Sequence, residues 1–193
     1  MGHGAQGTEQ GAWGAGQGSE PEVAGSRALV VGYGNPYRRD DGVAYAVVNA
    51  LRRALGQPEL APLDDGFAEL GRQVDSVVAQ QLVPEFAELL SPYRVVVFVD
   101  ASVAEAGEPL RLEPIAPRPH TSAVSHHLHP ATLLDLARQV NGRVPTGMLL
   151  SLQGRDFDFG EGLSPETAAL VSPAVARVRA LVAGMASRGE ASA

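Results

Sequence analysis

The sequence predicts an α/β domain with helices on both faces of a mostly parallel sheet, a three-layer αβα sandwich. Three observations carry the prediction. Short apolar runs rich in β-branched residues alternate along the chain with segments whose apolar residues recur every three or four positions, the signatures of strands and helices in turn. The run Arg94-Val95-Val96-Val97-Phe98-Val99-Asp100 is apolar at both alternating positions, as a central strand covered on both faces must be. The run Ala28-Leu29-Val30-Val31 breaks into Gly32-Tyr33-Gly34-Asn35-Pro36, and a helical pattern starts at Val43, so strand, tight loop and helix follow directly.

Taken in order, the first strand covers about residues 27 to 32, and the helix after Gly42 carries Val43, Ala46, Val47, Ala50, Leu51 and Ala54 on one face. It ends at Leu55-Gly56, a common C-terminal cap. Residues 57 to 72, with Pro58, Pro62, Asp64-Asp65-Gly66 and Gly71, read as a loop or a partly helical insertion. Val74 to Ala79 is a second strand, and Val83 to Leu90 a short helix. After the Val95 run, residues 109 to 115 form a strand shortened by prolines, and Thr132 to Val140 form a helix closed by Asn141-Gly142. Met148 to Leu152 is a strand; Ser164-Pro165 and Ser172-Pro173 each open a helix as N-cap and first-turn proline.

Composition sets the boundaries. A chain of 193 residues suits one domain with a real core. It has no cysteine, which excludes disulfides and any thiolate metal site of its own and fits a reducing cytoplasm. Fifteen basic against 22 acidic residues give a net charge of −7, the opposite of a nucleic-acid binder. No apolar run approaches the roughly 20 residues of a membrane span, and no signal pattern opens the chain. A cytoplasmic protein without membrane or nucleic-acid partners is expected. Residues 1 to 26 are mostly Gly, Ala, Gln, Ser and Glu with a single Trp13, too polar to offset their ordering entropy. They are expected to form a disordered tail, with the domain at 27–186 and a disordered C-terminus at 187–193.

Candidate chemistry gathers where strands end. Asp40 and Asp41 stand at the mouth of the first helix, and Asp100 ends the most buried strand; parallel strands put such acids on one edge of the sheet, where α/β folds keep their crevices. Asp40 is placed as a residue that complements the helix dipole, whereas Asp41, one residue deeper, reaches the crevice. Four of the five histidines fall in His120-Thr121-Ser122-Ala123-Val124-Ser125-His126-His127-Leu128-His129-Pro130. One imidazole facing two carboxylates makes an N/O ligand set for a borderline divalent metal such as nickel or zinc. Gly32-Tyr33-Gly34 is similar to the start of a dinucleotide fingerprint, but Tyr37 stands where the third glycine belongs, and the acids would repel a pyrophosphate. No metalloprotease His-Glu-x-x-His, nucleophile elbow or cysteine nucleophile is present.

Four segments together resemble the hydrogenase maturation proteases, nickel-dependent endopeptidases that trim the large subunit of nickel-iron hydrogenases. They are Gly32-Tyr33-Gly34-Asn35 with Asp40-Asp41-Gly42, then Val97-Phe98-Val99-Asp100-Ala101, then Ser125-His126-His127-Leu128 before a Leu-rich helix, and Phe159-Gly160-Glu161-Gly162-Leu163-Ser164-Pro165. They occur in the family's order across about residues 27 to 185. The resemblance implies a five-stranded sheet and a metal-dependent, aspartic-type endopeptidase acting as a cytoplasmic monomer. Its partner would be a hydrogenase large-subunit precursor, and its nickel would be carried by that precursor. It maps the nickel-contacting, catalytic residues onto Asp41, Asp100 and His126. His126 is preferred because the family's histidine stands two residues before an apolar residue, here Leu128, and eight before another, here Leu134; His127 and His129 stay open. Three positions depart from the family: Asp41 where many members carry Glu, Ala44 where a glycine is common, and Gln80-Gln81-Leu82-Val83-Pro84-Glu85 where many carry Gly-Gly-Thr. The departures leave a second reading, a non-catalytic nickel-sensing chaperone that binds the precursor; a third, a nucleotide-binding module, rests on the glycine pair alone.

Overall fold

The computed structural model describes residues 27–62, 64–103, 107–119 and 128–190; the two ends at 1–26 and 191–193 lie outside it. In chain order the elements are β1 (Ala28–Tyr33), α1 (Val43–Ala54), β2 (Val74–Ala79), α2 (Phe86–Leu89), β3 (Val95–Ser102), β4 (Leu110–Ile115), α3 (Pro130–Asn141), β5 (Thr146–Gln153), α4 (Pro165–Ala168) and α5 (Val171–Glu190). The five strands form one sheet in the order β2-β1-β3-β5-β4. β1 pairs in parallel with β2 and β3, β3 pairs in parallel with β5, and β4 closes one edge antiparallel to β5. Pro114 lies in β4, an edge strand where its missing N–H leaves no central ladder bond unmade.

Period-two alternation sorts the strand residues into two cores. Val30, Val97 and Val99 face α1 and α5, packing on Val43, Val47, Leu51 and Val178. Leu29, Val31 and Phe98 face the other way, onto Leu90 of the α2 turn and onto Leu133 and Leu134 of α3. Gly32 sets the approach of α1, since a Cβ there would lie 3.0 Å from Val48 Cγ2 and 3.1 Å from the Ala44 carbonyl. The departure at Ala44 is therefore a packing feature of the β1–α1 contact.

Two boundaries differ from the sequence reading. α2 is a single turn, because the segment from Val83 enters it through tight turns in which Phe86 N–H donates to the Val83 carbonyl (3.1 Å) and Ala87 N–H to the Pro84 carbonyl (3.0 Å). α5 runs to Glu190, beyond residue 186 where the sequence reading ends the domain. The stretch Pro165–Met185 is also long and apolar enough, by length and composition, to cross a membrane, which the sequence reading did not find. Its place here is in a layer: Ala174 and Val178 are buried against α1, and Arg177 Nη1 donates to the Leu110 carbonyl on β4 (2.8 Å).

Candidate active site

The strand order turns around between β1 and β3. The chain leaves β1 toward β2 on one side and returns to β3 on the other, so the crevice of an open α/β sheet falls at the carboxyl ends of these two strands. Asp41 follows β1 and Asp100 lies within the end of β3, and both line one pocket of about 430 Å³ together with Tyr33, Arg38, Gln80 and Phe157.

The loop after β1 is folded around Asp41. Gly34 has φ +140°, and a Cβ there would lie 2.1 Å from the Asp41 carbonyl oxygen. Asn35 N–H donates to Asp41 Oδ2 (2.8 Å), and Asn35 Oδ1 accepts from Tyr37 N–H (3.0 Å), an Asx turn. Gly34 thus packs onto the acid and Gly32 onto α1, so both glycines serve close packing, which counts against the dinucleotide reading. Gly34→Ala is expected to lower stability by about 2 kcal/mol or more, because both φ and space forbid a side chain; an unchanged melting temperature would contradict this contact.

Asp100 is the strained carboxyl. Burial pushes its pKa up to about 6, the charge of Asp41 adds to the rise, and a hydrogen bond from the Tyr33 hydroxyl and one from Ala101 N–H hold it back. Tyr33 in turn is pushed well above an ordinary phenol, by burial first and then by the Asp100 charge. Sequence reasoning assigned Tyr33 no role. The available signal was a phenol at the carboxyl end of a strand, flanked by two glycines that keep its surroundings close.

Asp40 has a second role that the sequence reading missed. It is fully buried in the first turn of the short helix Arg39–Gly42 that leads into α1, and it anchors the loop that walls the pocket. Its Oδ2 accepts from the N–H groups of Arg155 (2.7 Å) and Asp156 (2.9 Å) and from the hydroxyls of Ser164 (2.7 Å) and Thr167 (2.9 Å), and Oδ1 accepts from Ser164 N–H (2.7 Å). Burial alone would raise its pKa; these donors override it and bring the value down to about 2. Ser164 does cap α4, as expected, and so serves both helix and anchor. Arg39 crosses to the same loop with φ +44°, its N–H on the Gly160 carbonyl (3.0 Å) and its guanidinium on Asp156 (3.3 Å).

The histidines divide. His126 and His127 lie outside the described residues, and Leu128, two positions after His126, lines the Asp41–Asp100 pocket. His129 caps α3: its Nδ1 accepts from Ala131 N–H (3.1 Å), and burial, then the positive charge of Arg118, lowers its pKa. That cap occupies one of the two ring nitrogens of His129. Among the described residues no group of three His, Cys, Asp or Glu could hold a metal ion.

No family model and no curated protein matches the sequence. Solved structures do. The hydrogenase maturating endopeptidase HybD from E. coli superposes with a TM-score of 0.62 at 21% identity, over 82% of this chain and 93% of that one. The [NiFe] hydrogenase maturation protease HybD from Thermococcus kodakarensis gives 0.57 at 15% identity, over 81% and 99%. A hydrogenase 2 maturation peptidase from a Thaumarchaeota archaeon gives 0.51 at 25% identity, over 80% and 97%. The five-stranded, mostly parallel sheet and its flanking helices are common to them, and the chain has the fold of the hydrogenase maturation proteases, the family its motifs resemble.

Proposed function

We propose that this chain is an endopeptidase of hydrogenase maturation, which removes the C-terminal extension of a large-subunit precursor already loaded with nickel. The observation that supports this best is the meeting of Asp41 and Asp100 in one pocket at the β1–β3 crevice. Two carboxylates supply oxygen donors, and His126 would add an imidazole. A chain without cysteine leaves any thiolate donors to the client. Asn35 N–H holds one oxygen of Asp41, while the other accepts no hydrogen bond among the described residues and would face the client's ion. Tyr33 orients Asp100 by its hydrogen bond. A nickel ion brought to this place would supply Lewis acidity toward the scissile carbonyl or an attacking water. The enzyme reads as a cytoplasmic monomer.

The test is to mix the protein with nickel-loaded precursor and follow release of the C-terminal peptide by mass spectrometry. Asp41→Ala, Asp100→Ala and His126→Ala should each lower cleavage by about a hundredfold or more, while His127→Ala should not. Undiminished cleavage in Asp100→Ala or His126→Ala overturns the site. Equal cleavage of nickel-free precursor overturns the reading of nickel, and a stable complex with no change in precursor mass would make the protein the non-catalytic chaperone instead.

A further inference from the structure

Beside the Asp41–Asp100 pocket lies a second cavity of about 670 Å³ that the proposed chemistry does not use. Its apolar lining includes Tyr37, Tyr45, Leu60, Phe67, Val78 and Phe86, with the rings of Phe67 and Phe86 5.4 Å apart. Three carboxylates, Asp64, Asp65 and Glu161, also line it, and among the described residues no Lys, Arg or His does. None of the three is in an ion pair among the described residues. Gln80 and Gln81 line both this cavity and the Asp41–Asp100 pocket, so the two adjoin along the segment where family members carry Gly-Gly-Thr.

The wall is held in place by a dedicated network. The insertion read from sequence as a loop or partly helical segment folds over the outer edge of β2, where Val78 N–H donates to the Asp65 carbonyl (3.0 Å). Asn49 Oδ1 accepts from Leu60 N–H (2.8 Å). Arg52, almost fully buried on α1, donates to the Pro58 carbonyl (2.6 Å) and to Glu69 (2.5 Å). A buried guanidinium spent on an insertion fixes that insertion's shape. The Tyr45 hydroxyl sits in this wall with its pKa raised by burial, then by Asp65 and Tyr37.

We infer that this cavity is the subsite of the client peptide, taking an aromatic or long aliphatic side chain from a stretch that carries a Lys or Arg next to it. The inference rests on the endopeptidase reading and adds to it which peptide the enzyme accepts. The apolar lining takes the side chain, the three unpaired carboxylates meet the neighbouring cation, and the Gln80 and Gln81 carboxamides, each both donor and acceptor, bond the peptide backbone as it passes to the reacting pocket.

The test titrates the ¹⁵N-labelled full chain with acetyl-Ala-Phe-Lys-Ala-amide and with acetyl-Ala-Phe-Glu-Ala-amide. The lysine peptide should shift the amides of Tyr45, Gln80 and Gln81 and bind about tenfold more tightly than the glutamate peptide. The double variant Asp65→Asn, Glu161→Gln, in which Asn keeps the acceptor for Phe67 N–H (3.1 Å), should bring the two peptides to within about threefold. Asp100→Ala should bind the lysine peptide as the parent does while losing precursor cleavage. Equal affinity for the two peptides, or shifts confined to another face, overturns the subsite even if the precursor is cleaved. Binding with the stated preference in a protein that cleaves no precursor supports the subsite and removes the endopeptidase reading.

Discussion

Asp100→Asn is expected to yield a more stable protein that no longer processes its client. In the fold the carboxyl titrates near 6 rather than 3.8, because burial and the Asp41 charge oppose ionisation. A raised value means that its contribution to stability is fully present below 3.8 and is lost as pH rises through 6. Above neutrality the folded protein carries that cost, on the order of 2–3 kcal/mol. Asn keeps the shape and an acceptor for the Tyr33 hydroxyl while removing the charge. Urea midpoints should therefore rise by the equivalent of about 2 kcal/mol at pH 8 and by almost nothing at pH 4. A gain of equal size at both pH values, or a loss at pH 8, would show that Asp100 serves the fold rather than a site that tolerates instability for chemistry.

Its near neighbour in sequence should behave in the opposite way. Asp40→Asn replaces one carboxylate oxygen by an amide donor in a place where five donors converge, so at least one of them faces another donor. Orphaning buried donors of a charged acceptor should cost about 3–4 kcal/mol at pH 7. The wild-type contribution follows from a value near 2 against 3.8. It is present above 3.8 and disappears as pH falls through 2, so the difference between variant and parent should shrink in that window. Chemical unfolding at pH 7 and pH 2 measures it. Limited proteolysis should also show cleavage between residues 154 and 164 in the variant first. A variant as stable as the parent would mean that the loop is held by its other contacts.

Adjacent aspartates with opposite duties show what a sequence can and cannot carry. The strand ending in Asp100 is legible because a run apolar on both faces has only one place in such a sheet, and a carboxyl at its end has few structural uses. Asp40 is not legible, because every donor that it binds comes from residues 155 to 167 and nothing local announces them. Arg52 is silent in the same way: nothing near it in sequence sets it apart from the exposed Arg53, yet it is buried because Pro58 and Glu69 fold back over it. Gly and Pro mark the insertion as irregular, and contacts from distant residues, the Phe67–Phe86 packing and the Arg52 hydrogen bonds among them, make it a wall. Tyr33 acquires its role from a strand that arrives some sixty positions later. The resemblance supplied His126, which lies outside the described residues, so the imidazole is the part of the site that the geometry of Asp41 and Asp100 leaves for experiment.

The clamp on Asp40 also imposes an order of events during synthesis. The carboxyl belongs to the opening tenth of the folded region, and its partners leave the ribosome only after β5 has been made. A nascent molecule can pair β1 with β2 and β3 early, since domains condense from the N-terminal side as they emerge. Its crevice stays without a rim until Thr167 has been released. Such a chain is kept inert by its own connectivity while it is being translated, and it gains a working edge only as a finished molecule.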